Sequence, residues 1–169
     1  MQTKIYDYAI DFSVGKLTED QIPIRFKQLV LEAANDTQSL ITYARDKKWE
    51  EIKAQRDYLE THQLDYNGLI LDYDERSALK LEIASTGATG AIQSGLVDKD
   101  AFAIEWTLKD NTTTRLTYND LMLIPLAAMN YSNKLHQHGR VLRELIQNTD
   151  GLAEILEINW NSVDNDIVI

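Results

Sequence analysis

Between Leu121 and Leu145 one set of side chains recurs at a 3-4-3-4 spacing: Leu121, Ile124, Ala128, Tyr131, Leu135, His138, Leu142 and Leu145. A repeat averaging 3.5 residues is the pattern of a helix that lays a narrow seam on other helices. It extends over about three and a half heptads, so one long helix near residues 119–147 dominates the fold. Its start is marked by Thr117-Tyr118-Asn119-Asp120, a threonine three residues ahead of an acid, which can satisfy the free N–H groups of a first turn. Pro125, a few residues in, opposes a straight continuous coiled coil there. The spacing leaves open whether the partner helices belong to the same chain or to copies around an axis, and a homotrimer is compatible with it. His138 is the polar member of the stripe. In a shared seam its imidazole would face its symmetry mates and could bind an anion or respond to pH.

The remaining segments read as a mixture of strands and helices. Lys4 to Phe12 alternates Ile5, Asp7, Ala9 and Asp11 with Tyr6, Tyr8, Ile10 and Phe12, the pattern of a strand with one aromatic face. Val14-Gly15-Lys16 is a turn, and Thr18-Glu19-Asp20-Gln21 has the form of a capping box. Helix is expected from about Phe26, a break at Asn35-Asp36-Thr37, a short strand over Ser39 to Ala44, and a helix over Arg45 to Glu60. Asn67-Gly68 signals a hairpin turn between apolar alternations. Glu75 to Ser85 reads as a helix ending in the small-residue run that follows it, and the Trp106 strand leads through Asp110-Asn111 to the long helix. A last short helix follows Asn148-Thr149-Asp150, and the closing residues carry no core pattern. The class is α+β: a small mixed β-sheet packed with several helices, without βαβ alternation. The expected division is an N-terminal strand-rich attachment segment (1–45), a main domain (46–160) and a C-terminal tail (161–169), which either docks on a partner or frays.

Composition narrows the function classes. Of 169 residues 44% are hydrophobic, enough to build a core. Without cysteine, disulfides and thiolate metal sites are excluded. No apolar run approaches the ~20 residues of a membrane span, and the acidic N-terminus is no signal peptide, so synthesis and retention in cytoplasm are expected unless the chain leaves as part of something larger. A formal net charge of −10 disfavours nucleic acid and anionic membrane as partners, because phosphate binding is driven by lysine and arginine.

Candidate chemistry is sparse. His136 and His138, two apart on a helix, point about 200° away from each other and cannot share an ion unaided. Asp72-x-Asp74-Glu75 begins like a calcium loop but lacks its glycine and closing glutamate, and capping of a helix by Asp72 or Asp74 accounts for the same residues. No nucleophile elbow, phosphate loop or distinct carboxylate pair is present. No catalytic, cofactor-binding or metal-binding residue is therefore assigned, and no enzyme activity is expected. Trp49, Trp106 and Trp160 are core or interface anchors by default. Tyr66, Tyr73, Tyr118 and Tyr131, read as exposed, could stack on a saccharide or line an interface. The full candidate set for core or interface is Trp49, Tyr66, Trp106, Leu121, Ile124, Tyr131, Leu135, His138, Leu142, Leu145 and Trp160.

Read in order, W-E-E-I-K-A-Q-R-D from Trp49, Y-N-G-L-I-L-D-Y-D-E-R-S from Tyr66, I-E-W-T-L-K-D-N from Ile104 and L-T-Y-N-D-L from Leu116 form a set. This set resembles an uncharacterised domain family of bacteriophage and prophage tail and tail-fibre proteins. The matching positions are Trp49, Ile52, Arg56, Gly68, Asp74, Ser77, Trp106, Asp110, Asn111 and Leu121, within about 49–160. Leu71 stands where the family often has phenylalanine. The resemblance implies no catalytic residue. It implies a structural component of a phage tail, baseplate or tail fibre, located in the virion after synthesis in the host and acting in fibre attachment or host adsorption. Other tail or fibre proteins would be its partners. A fibre-assembly chaperone that leaves the particle is the alternative.

Overall fold

The computed structural model describes residues 2–164. In chain order these form α1 (Gln2–Ser13), two short 3-10 turns (Glu19–Gln21 and Ile24–Phe26), α2 (Lys27–Asn35), α3 (Thr37–His62), β1 (Gln63–Tyr66), β2 (Leu69–Asp72), α4 (Glu75–Gln93), β3 (Ala103–Thr107), β4 (Thr113–Thr117), α5 (Tyr118–Asn148) and α6 (Leu152–Glu157). The α+β class holds, with helix predominant. The strands make two separate antiparallel pairs, β1–β2 and β3–β4, where one mixed sheet is expected from the sequence.

The chain divides into two compact units: Met1–Ala54 with Gly139–Asp164, and Gln55–His138. The first is helical. Its core gathers Ala9, Ile10, Ile22, Val30, Leu40, Ala44 and Ile155, all within 5% exposure. The strand expected over Lys4 to Phe12 is α1. Ala9 and Ile10 are neighbours and both buried, which one face of a two-residue repeat cannot achieve and one flank of a helix can. Asp7, on the outer side of α1, takes Lys47 Nζ at 2.6 Å and Tyr43 Oη at 3.2 Å, and Tyr6 stacks on Tyr43 with ring centroids 5.0 Å apart. The strand expected over Ser39 to Ala44 likewise belongs to a helix, α3, where Leu40 and Ala44 are buried one turn apart. Asp36 nucleates α3 by accepting from Ser39 N at 3.1 Å and Ser39 Oγ at 2.6 Å. These two bonds hold the Asp36 carboxyl below its ordinary pKa. At the other end of α5, Arg45 donates through Nη2 to the Thr149 carbonyl at 2.8 Å, satisfying a carbonyl beyond the helix terminus.

In the second unit Asn67 (φ 54°) and Gly68 (φ 80°) close β1 onto β2, the left-handed pair that a tight hairpin needs. Asp74 caps α4 by accepting from Ser77 N at 2.7 Å. Helix α4 does not stop at Ser85 but runs on to Gln93, through Gly87 and Gly90. It ends where Gly95 (φ 71°) donates to Ile92 O and Leu96 N donates to Ala91 O, each at 3.0 Å. This is the Schellman arrangement, and α1 ends in the same way at Gly15, whose N donates to Phe12 O while Lys16 N donates to Asp11 O. The two hairpins join edge to edge through the Leu71–Leu108 bridge and a bond from Lys109 N to Ile70 O at 3.0 Å.

Candidate functional site

The start of α5 is organised as its sequence requires. Thr117 N donates to Asp120 Oδ2 at 2.8 Å, and Asp120 N donates back to Thr117 Oγ1 at 3.3 Å, a reciprocal cap. The Thr117 hydroxyl adds a bond at 2.6 Å to the same carboxylate oxygen. The other oxygen, Oδ1, accepts the Tyr66 hydroxyl at 2.8 Å, tying β1 to the helix start. The Thr117 hydroxyl leads the causes that hold Asp120 below its ordinary pKa. Burial, followed by the bond to Asp120 and its charge, pushes Tyr66 up to about 12.

Beneath this lies a buried polar chain. Gln63, 5% exposed, donates through Nε2 to the Tyr131 hydroxyl at 3.1 Å and accepts from Lys109 Nζ through Oε1. Burial raises the Tyr131 pKa. Farther along α5, Glu60 accepts the Ser132 hydroxyl and faces His136 Nε2 at 3.4 Å.

The stripe residues Leu121, Ile124, Leu135 and Leu142 are each within 1% exposure, with Tyr131 at 6% and His138 at 3%. The seam is therefore covered within one chain. At its end the burial passes from Leu145, which is half-buried, to Ile146 at 1%. A straight helix drifts away from a 3.5-residue repeat, and the step of four from Leu142 to Ile146 follows that drift. Trp160 is buried, whereas Trp49 and Trp106 are half-buried. Trp49 lies with Arg143 at 5.4 Å and Lys53 at 5.9 Å from its ring. The Trp106 indole N–H is buried without a hydrogen-bond acceptor among the described residues. Tyr66 and Tyr131, expected to be exposed, are buried, because their hydroxyls find partners inside. Tyr73 and Tyr118 are half-buried. Among the described residues no cluster of three or more His, Cys, Asp or Glu could hold a metal ion.

The outward side of α5 in the second unit is a ridge of Met122, Leu126 and Met129, 47–56% exposed. A groove of about 400 Å³ on one flank is lined by the Asp65–Gly68 turn, Leu123, Leu126 and Lys134. A second of about 580 Å³, on the α4 flank, is lined by Tyr73, Leu79, Glu82, Ser85 and Pro125. Ser85 Oγ reaches Met122 Sδ at 3.4 Å across this flank. The sequence carries a signal for this surface that periodicity alone does not detect. From Leu121 to Asn133 there is no charged residue, and from Leu121 to Arg143 no acid, in a chain with 27 acids.

The fold and these clusters define a helix-rich α+β domain whose charge-poor outer face is built from a capped long helix and its neighbour. The chain belongs to the family described as Domain of unknown function (DUF4376), whose sequence model matches residues 43–167. No curated protein and no solved structure matches it.

Proposed function

We propose that this chain is a structural component of a tailed-phage tail, baseplate or tail fibre, acting in fibre attachment or host adsorption by protein–protein assembly rather than by catalysis. The ordered set from Trp49 to Leu121, with its resemblance to a tail-associated domain, carries this reading. The exposed apolar ridge of α5 supports it, because contiguous exposed apolar surface marks interaction sites. The partners are other tail or fibre proteins, and the location is the virion. The test is mass spectrometry of particles purified from a host lysate. Recovery of the chain with the tail proteins is the expected result. Its presence in the lysate and absence from the particles would turn the assignment to a fibre-assembly chaperone.

A further inference from the structure

We propose that the outward α4–α5 face of the second unit is the contact between two copies of this chain, packed antiparallel about a two-fold axis. The inference takes the same α5 ridge and names a second copy as its occupant, whereas the particle reading is carried by the sequence resemblance, so either can fail alone.

Three observations converge on a second copy as the occupant. The first is charge. A chain of net −10 repels its own copies over most of its surface. The α5 outer face is the place where that repulsion lapses, since Leu121–Asn133 has no charge, and α4, whose acids at the groove are Glu75 and Glu82, carries none from Ile83 to its end at Gln93. A basic partner would gain nothing from this face and would be drawn to the acidic surface elsewhere.

The second is shape. The ridge of Met122, Leu126 and Met129 runs beside the groove of about 580 Å³ that α4 and α5 form. Ridge and groove on one surface are self-complementary: under a two-fold, each copy seats its ridge in the groove of the other. A parallel arrangement around a three-fold would bring equivalent Lys134 side chains together. The antiparallel one, centred on Leu126, sets them about 24 Å apart along the axis at 1.5 Å per residue.

The third is area. Leu79, Ile83, Met122, Leu126 and Met129 are 47–63% exposed. Together they present roughly 500 Å² of side-chain surface, to which the groove walls add toward the ~800 Å² that each partner contributes to a standard interface.

Sedimentation equilibrium of the full chain tests the proposal. The expected result is a mass of twice 19.4 kDa at about 100 µM. Leu126→Glu, at an exposed position, is expected to raise the dissociation constant by at least ~30-fold, since the charge is buried once in each copy. Its circular dichroism should match the unsubstituted chain. Because the chain has no cysteine, Leu126→Cys provides a second readout that leaves the face apolar. A short bis-maleimide should link two such copies, while Ile24→Cys, at a position 92% exposed in the first unit, should stay unlinked. A monomer or a trimer at that concentration, or a dimer unaffected by Leu126→Glu and unlinked at Leu126→Cys, would overturn the proposal.

Discussion

Replacing Tyr66 by phenylalanine removes one hydroxyl and leaves the ring, which makes it a sharp probe of how the hairpin is fastened to α5. The hydroxyl donates to Asp120 Oδ1 at 2.8 Å, while Asp120 keeps its bonds from Thr117 N and Thr117 Oγ1 through the other oxygen. A bond to a charged acceptor contributes about 1.5–3 kcal/mol. The carboxylate remains partly satisfied in the variant, so a loss of about 1–2 kcal/mol at pH 7 is expected. The pH dependence separates this bond from simple packing. Tyr66 is raised from its ordinary value of 10.0 to about 12, so the folded state favours the protonated phenol. That stabilisation is full below pH 10 and is lost as pH rises from about 10 through 12. With solvent screening around the half-exposed Asp120, about 1 kcal/mol should be gone by pH 11. Urea unfolding of both chains at pH 7, 9 and 11 measures it. The gap between Tyr66→Phe and the unsubstituted chain should be constant to pH 9 and narrower by about 1 kcal/mol at pH 11. A gap equally wide at pH 7 and pH 11, or no gap at all, would refute the reasoning.

Other sites give contrasting expectations. Leu135→Ala, at a position with 0% exposure, should cost about 2–5 kcal/mol in urea unfolding, set by how far the cavity collapses. Gly68→Ala places a side chain at φ 80° in the hairpin turn and should cost about 1 kcal/mol in the same assay. Lys47→Ala breaks the pair with Asp7, but both side chains are more than a third exposed, so the change should stay within ~0.5 kcal/mol and shrink in salt. Because Asp120 is held below its ordinary pKa, its contribution is present above the usual carboxylate range and lost as pH falls through the lowered value. Asp120→Asn should therefore flatten the acid limb of the stability curve.

Much of the fold is legible where local chemistry and tertiary packing agree. Asn67-Gly68 and the Thr117–Asp120 box each specify one backbone geometry, and both are found in place. The α5 seam is also legible, because an apolar stripe of that length at 3.5-residue spacing fits a helix and no strand. Failures fall where two periods fit the same residues. In α1 the alternation of Tyr6, Tyr8, Ile10 and Phe12 mimics a strand, yet Ile5, Ala9 and Ile10 equally share a helix flank, and packing on α2 selects the helix. The end of α4 is hidden because Gly87 and Gly90 look like breakers. A helix tolerates each at about 1 kcal/mol, and the stop falls at Gly95, whose following Leu96 can complete the Schellman motif. The pairing of Tyr66 with Asp120 joins residues 54 apart, and no local pattern contains it. The outer face of α5 is visible in the sequence only as missing charge.

Immunogold electron microscopy of intact particles, with antibody raised against this chain, tests the assembly role most directly. Label confined to the tail or its fibres is the predicted result. Particles that stay unlabelled, while the same antibody detects the chain in the host lysate, would contradict it.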